Sequence, residues 1–333
     1  MDRRRFLNMS WQTASAALLA GCLSKRDLSS ATGTVPCSVA GKLAAGQATV
    51  ADLVEMVSEA SYTDFMENRL YASDGQDRNI YMETPYHNLA RDFMIQHFEE
   101  CGFTVTQQNF GSAPYTATNV IGTKLGSERP DEIFIVGAHY DTVNNCPGAD
   151  DNASGTAGVL EAARVLGPQT FESTIKVIAF DREEGDLEGS ILYVDEYGSD
   201  NVIRMLNLDM IGAWDPSSPT ATIYSQFSDT MAQELDDAIS QYCDGIGTDI
   251  QIKDIGCDHH PFEAVGIPGA MLLAAGGGGN NCNHQPCDSL DTPGQVHFAL
   301  ASELTRAVVG YLADKAVLMQ STGVIREPEE ACA

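Results

Sequence analysis

Ile133-Phe134-Ile135-Val136-Gly137-Ala138-His139-Tyr140-Asp141 and Thr174-Ile175-Lys176-Val177-Ile178-Ala179-Phe180-Asp181-Arg182-Glu183-Glu184 share one build. Each is a mostly apolar, strand-forming run that stops at titratable side chains. Short runs of this kind read as strands buried on both faces. Gly155 to Leu166, between them, predicts a helix, and strands alternating with helices make parallel neighbours. Upstream, residues 50–59 and 86–100 have helical spacing, the latter through Leu89, Phe93, Ile95 and Phe98. Phe103–Phe110 and Asn119–Leu125 are β-rich. Downstream, a helix is predicted near Ser190–Tyr197 and strands at Met205–Met210, Thr220–Ser225 and Ile267–Ala274, before a closing helix over Pro293–Ala313. The fold class is α/β: a single domain with a central, mostly parallel mixed β-sheet sandwiched between helices. Neither an internal repeat nor a second domain is visible.

Ligands of open α/β sheets bind beyond the carboxyl ends of the strands. Those ends carry His139 and Asp141; Asp181, Glu183 and Glu184; Asp209; and, past a glycine-rich loop, Asn283 and His284. Gly148-Ala149-Asp150-Asp151-Asn152-Ala153-Ser154-Gly155 precedes a helix. Each feature has a bland reading. Asp150 to Asn152 can simply cap the helix, adjacent glutamates are usually solvated, and a single histidine is usually a packed or surface residue. Four strand ends that each deliver an imidazole or a carboxylate are harder to read that way. Gly276 to Gly279 lacks the Lys and Ser/Thr of a phosphate loop and reads as the rim of a pocket. Ser154 sits in no nucleophile elbow. His87, His97 and His297 fall on predicted helices and receive no role; one of His259 and His260 is a candidate support residue.

Taken in order, His139-x-Asp141, the Gly148–Gly155 segment, Glu183-Glu184, Asn207-Leu208-Asp209-Met210-Ile211-Gly212 and Asn283-His284 resemble the bacterial leucyl-aminopeptidase type. These are secreted two-zinc aminopeptidases whose wider family includes glutamate carboxypeptidases and glutaminyl cyclases. The similarity also touches Asp258–Phe262 and Gly266-Ile267-Pro268, and spans about residues 80–312. It implies two zinc ions per chain bridged by Asp151, one completed by His139 and Asp209 and the other by Glu184 and His284. Glu183 would be the general base and acid, and Asp141 would hold the far nitrogen of His139. It also implies a cis Asp151–Asn152 bond and a Cys282–Cys287 disulfide. Two positions depart from the pattern. Asn283 stands where relatives carry an aromatic residue, and is the candidate oxyanion or substrate contact; Asp186 stands where Gly is common. The expected activity is removal of N-terminal residues from peptides. A carboxypeptidase, a single-zinc glutaminyl cyclase or a non-catalytic zinc-binding surface lipoprotein are the alternatives.

A net charge of −28 over 333 residues argues against a nucleic-acid partner. Arg3-Arg4-Arg5-Phe6-Leu7 resembles a twin-arginine export signal, and Leu18-Leu19-Ala20-Gly21-Cys22 a lipobox with Cys22 as the lipidated residue. The apolar stretch is too short to span a membrane, so membrane attachment would be through lipid at Cys22. Residues 1–21 are read as the signal, 22–47 as a flexible tether, 48–320 as the catalytic domain and 321–333 as a tail. The implied location is the cell envelope, and the implied partners are peptide substrates. Setting Cys22 aside leaves eight of nine cysteines, an even number suited to an oxidising compartment. Cys282 with Cys287, and Cys37 with Cys332, are candidate pairs that spacing alone does not decide.

Overall fold

A computed structural model describes residues 48–79, 81, 85–198, 201–253, 255–274 and 280–319. The signal, Cys22, the tether, the tail, the Cys37–Cys332 pairing and the glycine-rich rim lie outside these residues. Helices α1 (Val50–Glu55), α2 (Glu59–Asp64) and α3 (Pro85–Glu100) precede strands β1 (Thr104–Ser112), β2 (Tyr115–Lys124) and β3 (Arg129–His139). Then come α4 (Gly155–Leu166), β4 (Ser173–Phe180), α5 (Glu188–Tyr197), β5 (Val202–Leu208) and β6 (Thr220–Ser225). The chain closes with α6 (Asp229–Tyr242), β7 (Gly247–Ile252), α7 (His260–Ala264), β8 (Gly269–Ala274) and α8 (Phe298–Lys315).

The eight strands form one mixed sheet in the order β1-β2-β4-β3-β5-β8-β6-β7. Its centre is parallel: β4 pairs with β3, β3 with β5 and β5 with β8. The hairpin β1–β2 joins antiparallel on one side, and β6 joins β8 antiparallel on the other. Alternation across the central strands divides the core. Val120, Val136, Val177 and Leu206 point into one apolar cluster with α4 and α8 residues; Ile121, Ile135, Ile178 and Met205 point into a second with Tyr193 of α5 and Phe262 of α7. Both faces are therefore covered, and the strand ends are left as the place for polar side chains.

The expected elements differ from the observed ones in definable ways. Residues 50–59 form two helices because Ser58 starts a second one, its Oγ accepting the Ser61 N–H. The last helix begins at Phe298 because the His297 N–H donates to Gly212 O at 2.9 Å, outside any helical turn. Helix α6 and edge strand β7 were not expected. The signal for α6 was present in the buried positions Met231, Ala232, Leu235, Ala238 and Ile239 behind the Ser228 cap, whereas β7 has no fully buried residue to mark it.

Helix α6 closes against α8 at Gly310, where an added Cβ would lie 2.3 Å from the Tyr242 ring. That ring is tethered through its hydroxyl to Asp314 at 2.5 Å. Gly310→Ala is therefore expected to lower stability by about 1–3 kcal/mol, measured as a fall in the urea unfolding midpoint without a change in slope.

Candidate metal centre

The carboxyl ends of β3, β4 and β5 bring His139, Glu183, Glu184 and Asp209 together, and two loops add Asp151 and His284. Asp151 faces both histidines. Its Oδ1 lies 3.2 Å from His139 Nε2 and its Oδ2 lies 3.1 Å from His284 Nε2. His139 Nε2 is also 3.6 Å from Asp209 Oδ2, and His284 Nε2 is 3.1 Å from Glu184 Oε2. The result is two donor groups that share one carboxylate: His139, Asp151 and Asp209, and Asp151, Glu184 and His284. Glu183 belongs to neither, with its Oε2 3.9 Å from His139 Nε2. Adjacent residues Glu183 and Glu184 thus aim at different partners.

Local bonding explains how these side chains are aimed. The Asp151–Asn152 peptide is cis. Asn152 donates to Leu208 O at 2.8 Å and accepts the Gly155 N–H at 2.9 Å, so it both caps α4 and ties it to the end of β5. Gly155 allows that approach, since a Cβ there would meet Leu208 O at 2.2 Å. Asp150 accepts the N–H groups of Gly212 and Ala213, which fastens the Asp151 loop to the segment after Asp209. The Cys282–Cys287 disulfide brackets Asn283 and His284.

Two expected contacts take another form. His139 Nδ1 faces the main-chain oxygen of Asp141 at 3.2 Å, while the Asp141 carboxylate is 3.5 Å away. That carboxylate also accepts the N–H groups of Glu183 and Glu184, at 3.1 and 3.3 Å, and holds the turn carrying both. Asn283, expected to face substrate, donates its amide to Asp151 Oδ2 at 2.6 Å. His259 is buried 3.9 Å from Glu263 and joins none of these donor groups. His87 bonds Asp181, His97 faces Leu160 O, and His297 stands at the start of α8. The even cysteine count does not mean complete pairing: Cys101 is disulfide-bonded, but Cys146, Cys243 and Cys257 are free thiols.

Sequence reading missed two supporting residues. Asp288 accepts the N–H groups of Asp150 and Asp151 at 2.9 and 3.0 Å. Arg78 is fully buried and donates to Tyr140 O, Leu70 O, Pro147 O and Gly148 O at 2.7 to 2.9 Å. It clamps the loop between His139 and Asp151. Burial lowers its pKa to about 10, against the pull of neighbouring anions, and the guanidinium stays charged at neutral pH. A lone arginine in the polar stretch Asp74–Asn79 gives no sign in sequence that it will be buried.

The electrostatics call for further positive charge. Burial pushes Glu184 up to about 8, reinforced by Asp151, and pushes Asp258 up to about 7; Glu183 is also raised by burial. Asp151 is held below the usual carboxylate range, because the imidazoles of His139 and His284 beside it outweigh burial. His284 rises to about 9, chiefly through its bond to Asp151. His139 is disfavoured as a cation by burial, yet Glu183 and Asp209 raise it well above its ordinary value. Among the buried side-chain atoms that make no hydrogen bond are His139 Nε2, Asp209 Oδ1 and Glu184 Oε1. Each belongs to a residue of the two donor groups. Orphaned imidazole nitrogen and carboxylate oxygen around a shared carboxylate fit divalent metal of the zinc type. A cavity of about 390 Å³, lined by Glu183, Glu184, Asp186, Leu187 and Gly256, opens beside them.

Arg78→Lys replaces a fixed fork of donors by one ammonium and leaves buried carbonyls unpaired. The variant is expected to lose about 3 kcal/mol or more of stability, read from urea unfolding of the metal-free protein.

Residues 119–309 match peptidase family M28. Aminopeptidase YwaD of Bacillus subtilis is 33% identical over 205 residues, covering 58% of this chain and 44% of that protein. Leupeptin-inactivating enzyme 1 of Streptomyces exfoliatus is 29% identical over 224 residues, covering 60% and 49%. The chain thus spans about half the length of the curated relatives it matches. Among solved structures, LapA aminopeptidase of Legionella pneumophila superposes with a TM-score of 0.69 at 20% identity, over 83% of this chain and 78% of that one. The glutaminyl cyclase of Porphyromonas gingivalis superposes with a TM-score of 0.63 at 21% identity, over 78% and 99%.

Proposed function

The chain belongs to peptidase family M28, and on that premise we propose that it is a two-zinc aminopeptidase acting outside the cytoplasm. The observation that carries the proposal is the division of Asp151, one oxygen toward His139 and the other toward His284, with Glu183 beside both groups and a member of neither. Asp151, His139 and Asp209 would hold one zinc, and Asp151, Glu184 and His284 the other. Bound zinc supplies Lewis acidity, lowering the pKa of water and polarising a carbonyl.

The remaining steps fall to the chain's own side chains. Glu183 takes a proton from the attacking water onto its carboxylate and returns it to the leaving amine. Asp141 keeps Glu183 in place through the main chain, so the catalytic carboxylate stays free to move a proton. Among the described residues, the cavity wall carries the carboxylates of Glu183, Glu184 and Asp186 and no Lys or Arg. Such a wall favours the ammonium group of a free N-terminus and repels a C-terminal carboxylate, which sets an aminopeptidase above a carboxypeptidase. Likeness to a glutaminyl cyclase structure keeps cyclisation as the second reading. A full pair of donor groups speaks for two metals rather than one.

Glu183→Gln is expected to retain zinc and lose about 10²–10⁴-fold in kcat on leucine p-nitroanilide; full activity in that variant would remove Glu183 from the mechanism. Chelation should abolish turnover, and zinc should restore it. On peptides with free, acetylated and N-terminal Gln ends, release of free N-terminal residues is expected, without pyroglutamate formation. Export and lipidation follow from the reading of residues 1–22, and radiolabelled palmitate should enter the wild type but not Cys22→Ala.

A further inference from the structure

Cys257 is a buried, unoxidised thiol at the wall of this centre. Its Sγ–H donates to Asp209 Oδ2 at 2.7 Å, and the Asn207 amide donates to Sγ at 2.9 Å. Glu183, Asp209 and Cys257 each offer one donor atom, and these lie within 4.8 Å of one another. His139 and Asp151 are outside that trio, and Cys257 is outside theirs. Asp209 is therefore a member of two donor groups, as Asp151 is. Its side chain is 7% exposed and its Oδ1 accepts no hydrogen bond. The cavity gives a route in, since its wall includes both Glu183 and Gly256, the residue before Cys257.

We propose that Glu183, Asp209 and Cys257 form a third, inhibitory metal site for a thiophilic divalent cation, with zinc in excess or cadmium as its ligand. One thiolate and two carboxylates suit such an ion, whereas magnesium and calcium select all-oxygen donor sets. Coordination breaks the S–H bond, forms a sulfur–metal bond and releases one proton to solvent; no electron is transferred. The Asn207 amide already donates to the sulfur and stabilises the thiolate that forms. Inhibition rests on the proposed role of Glu183. A carboxylate engaged by this ion cannot accept the proton of the attacking water.

The test begins with purified, zinc-loaded protein dialysed against rising zinc. A third equivalent binds, and hydrolysis of leucine p-nitroanilide falls in step with its binding. Cys257→Ser keeps a hydroxyl donor to Asp209, and its half-inhibiting zinc concentration rises by about tenfold or more. Cadmium added to the zinc-loaded wild type gives a thiolate-to-metal charge-transfer absorption that the variant lacks. That absorption needs no turnover, so it reports on the third site even if the protein hydrolyses no peptide. If the serine variant does not fold, cadmium NMR of the wild type shows a sulfur-ligated resonance at the third equivalent. Saturation at two zinc ions with no charge-transfer band, or equal zinc inhibition of wild type and Cys257→Ser, overturns the proposal.

Discussion

Carboxylates that converge in a buried space repel one another and resist losing their protons, and the architecture around this centre answers that repulsion. Asp141, Asp151, Glu183, Glu184 and Asp209 meet at the strand ends, with Asp150, Asp258 and Asp288 close behind. Arg78 is a fully buried guanidinium set against them, and its donors go to main-chain oxygens rather than to a carboxylate. Its charge is thus spread over the loop that carries the ligands. The balance remains negative, and the carboxyl groups respond by holding protons. A cation in the two donor groups would release those protons and use the orphaned nitrogen and oxygen atoms together.

The same constraint explains why so much main chain is fastened by acidic side chains. Asp288 holds the N–H groups of Asp150 and Asp151, Asp150 those of Gly212 and Ala213, and Asp141 those of Glu183 and Glu184. A carboxylate that accepts two N–H groups has its charge met by dipoles and can be buried at lower cost. Each such bond also fixes the direction of a neighbouring side chain of the donor groups. The acidic chemistry and the stiffness of the site thus come from the same groups.

Cys257 shows how near an alternative donor set lies to the proposed zinc ligands. The same oxygen of Asp209, Oδ2, faces both the His139 imidazole and the Cys257 thiol. Burial pushes the thiol's pKa well up, and the negative charge of neighbouring Asp209 adds to it. A soft ion changes that balance by replacing the proton.

Much of this protein was legible before any tertiary structure. Short apolar runs ending in His139, Asp181 and Asp209 identified central parallel strands, because a strand covered on both faces has nowhere to place polar groups except at its ends. The donor residues were legible for the same reason, and their order along the chain carried the family resemblance. Tertiary structure alone decided the partners. It turned the Asp141 carboxylate onto the main chain of Glu183 and Glu184, directed Asn283 onto Asp151, and buried Arg78 beneath the ligand loop. Hydrogen-bond partners far apart in sequence depend on how loops pack, and loop residues lack the periodicity that marks strands and helices. Local pattern therefore named the side chains that could do chemistry, and only packing determined which of them face one another.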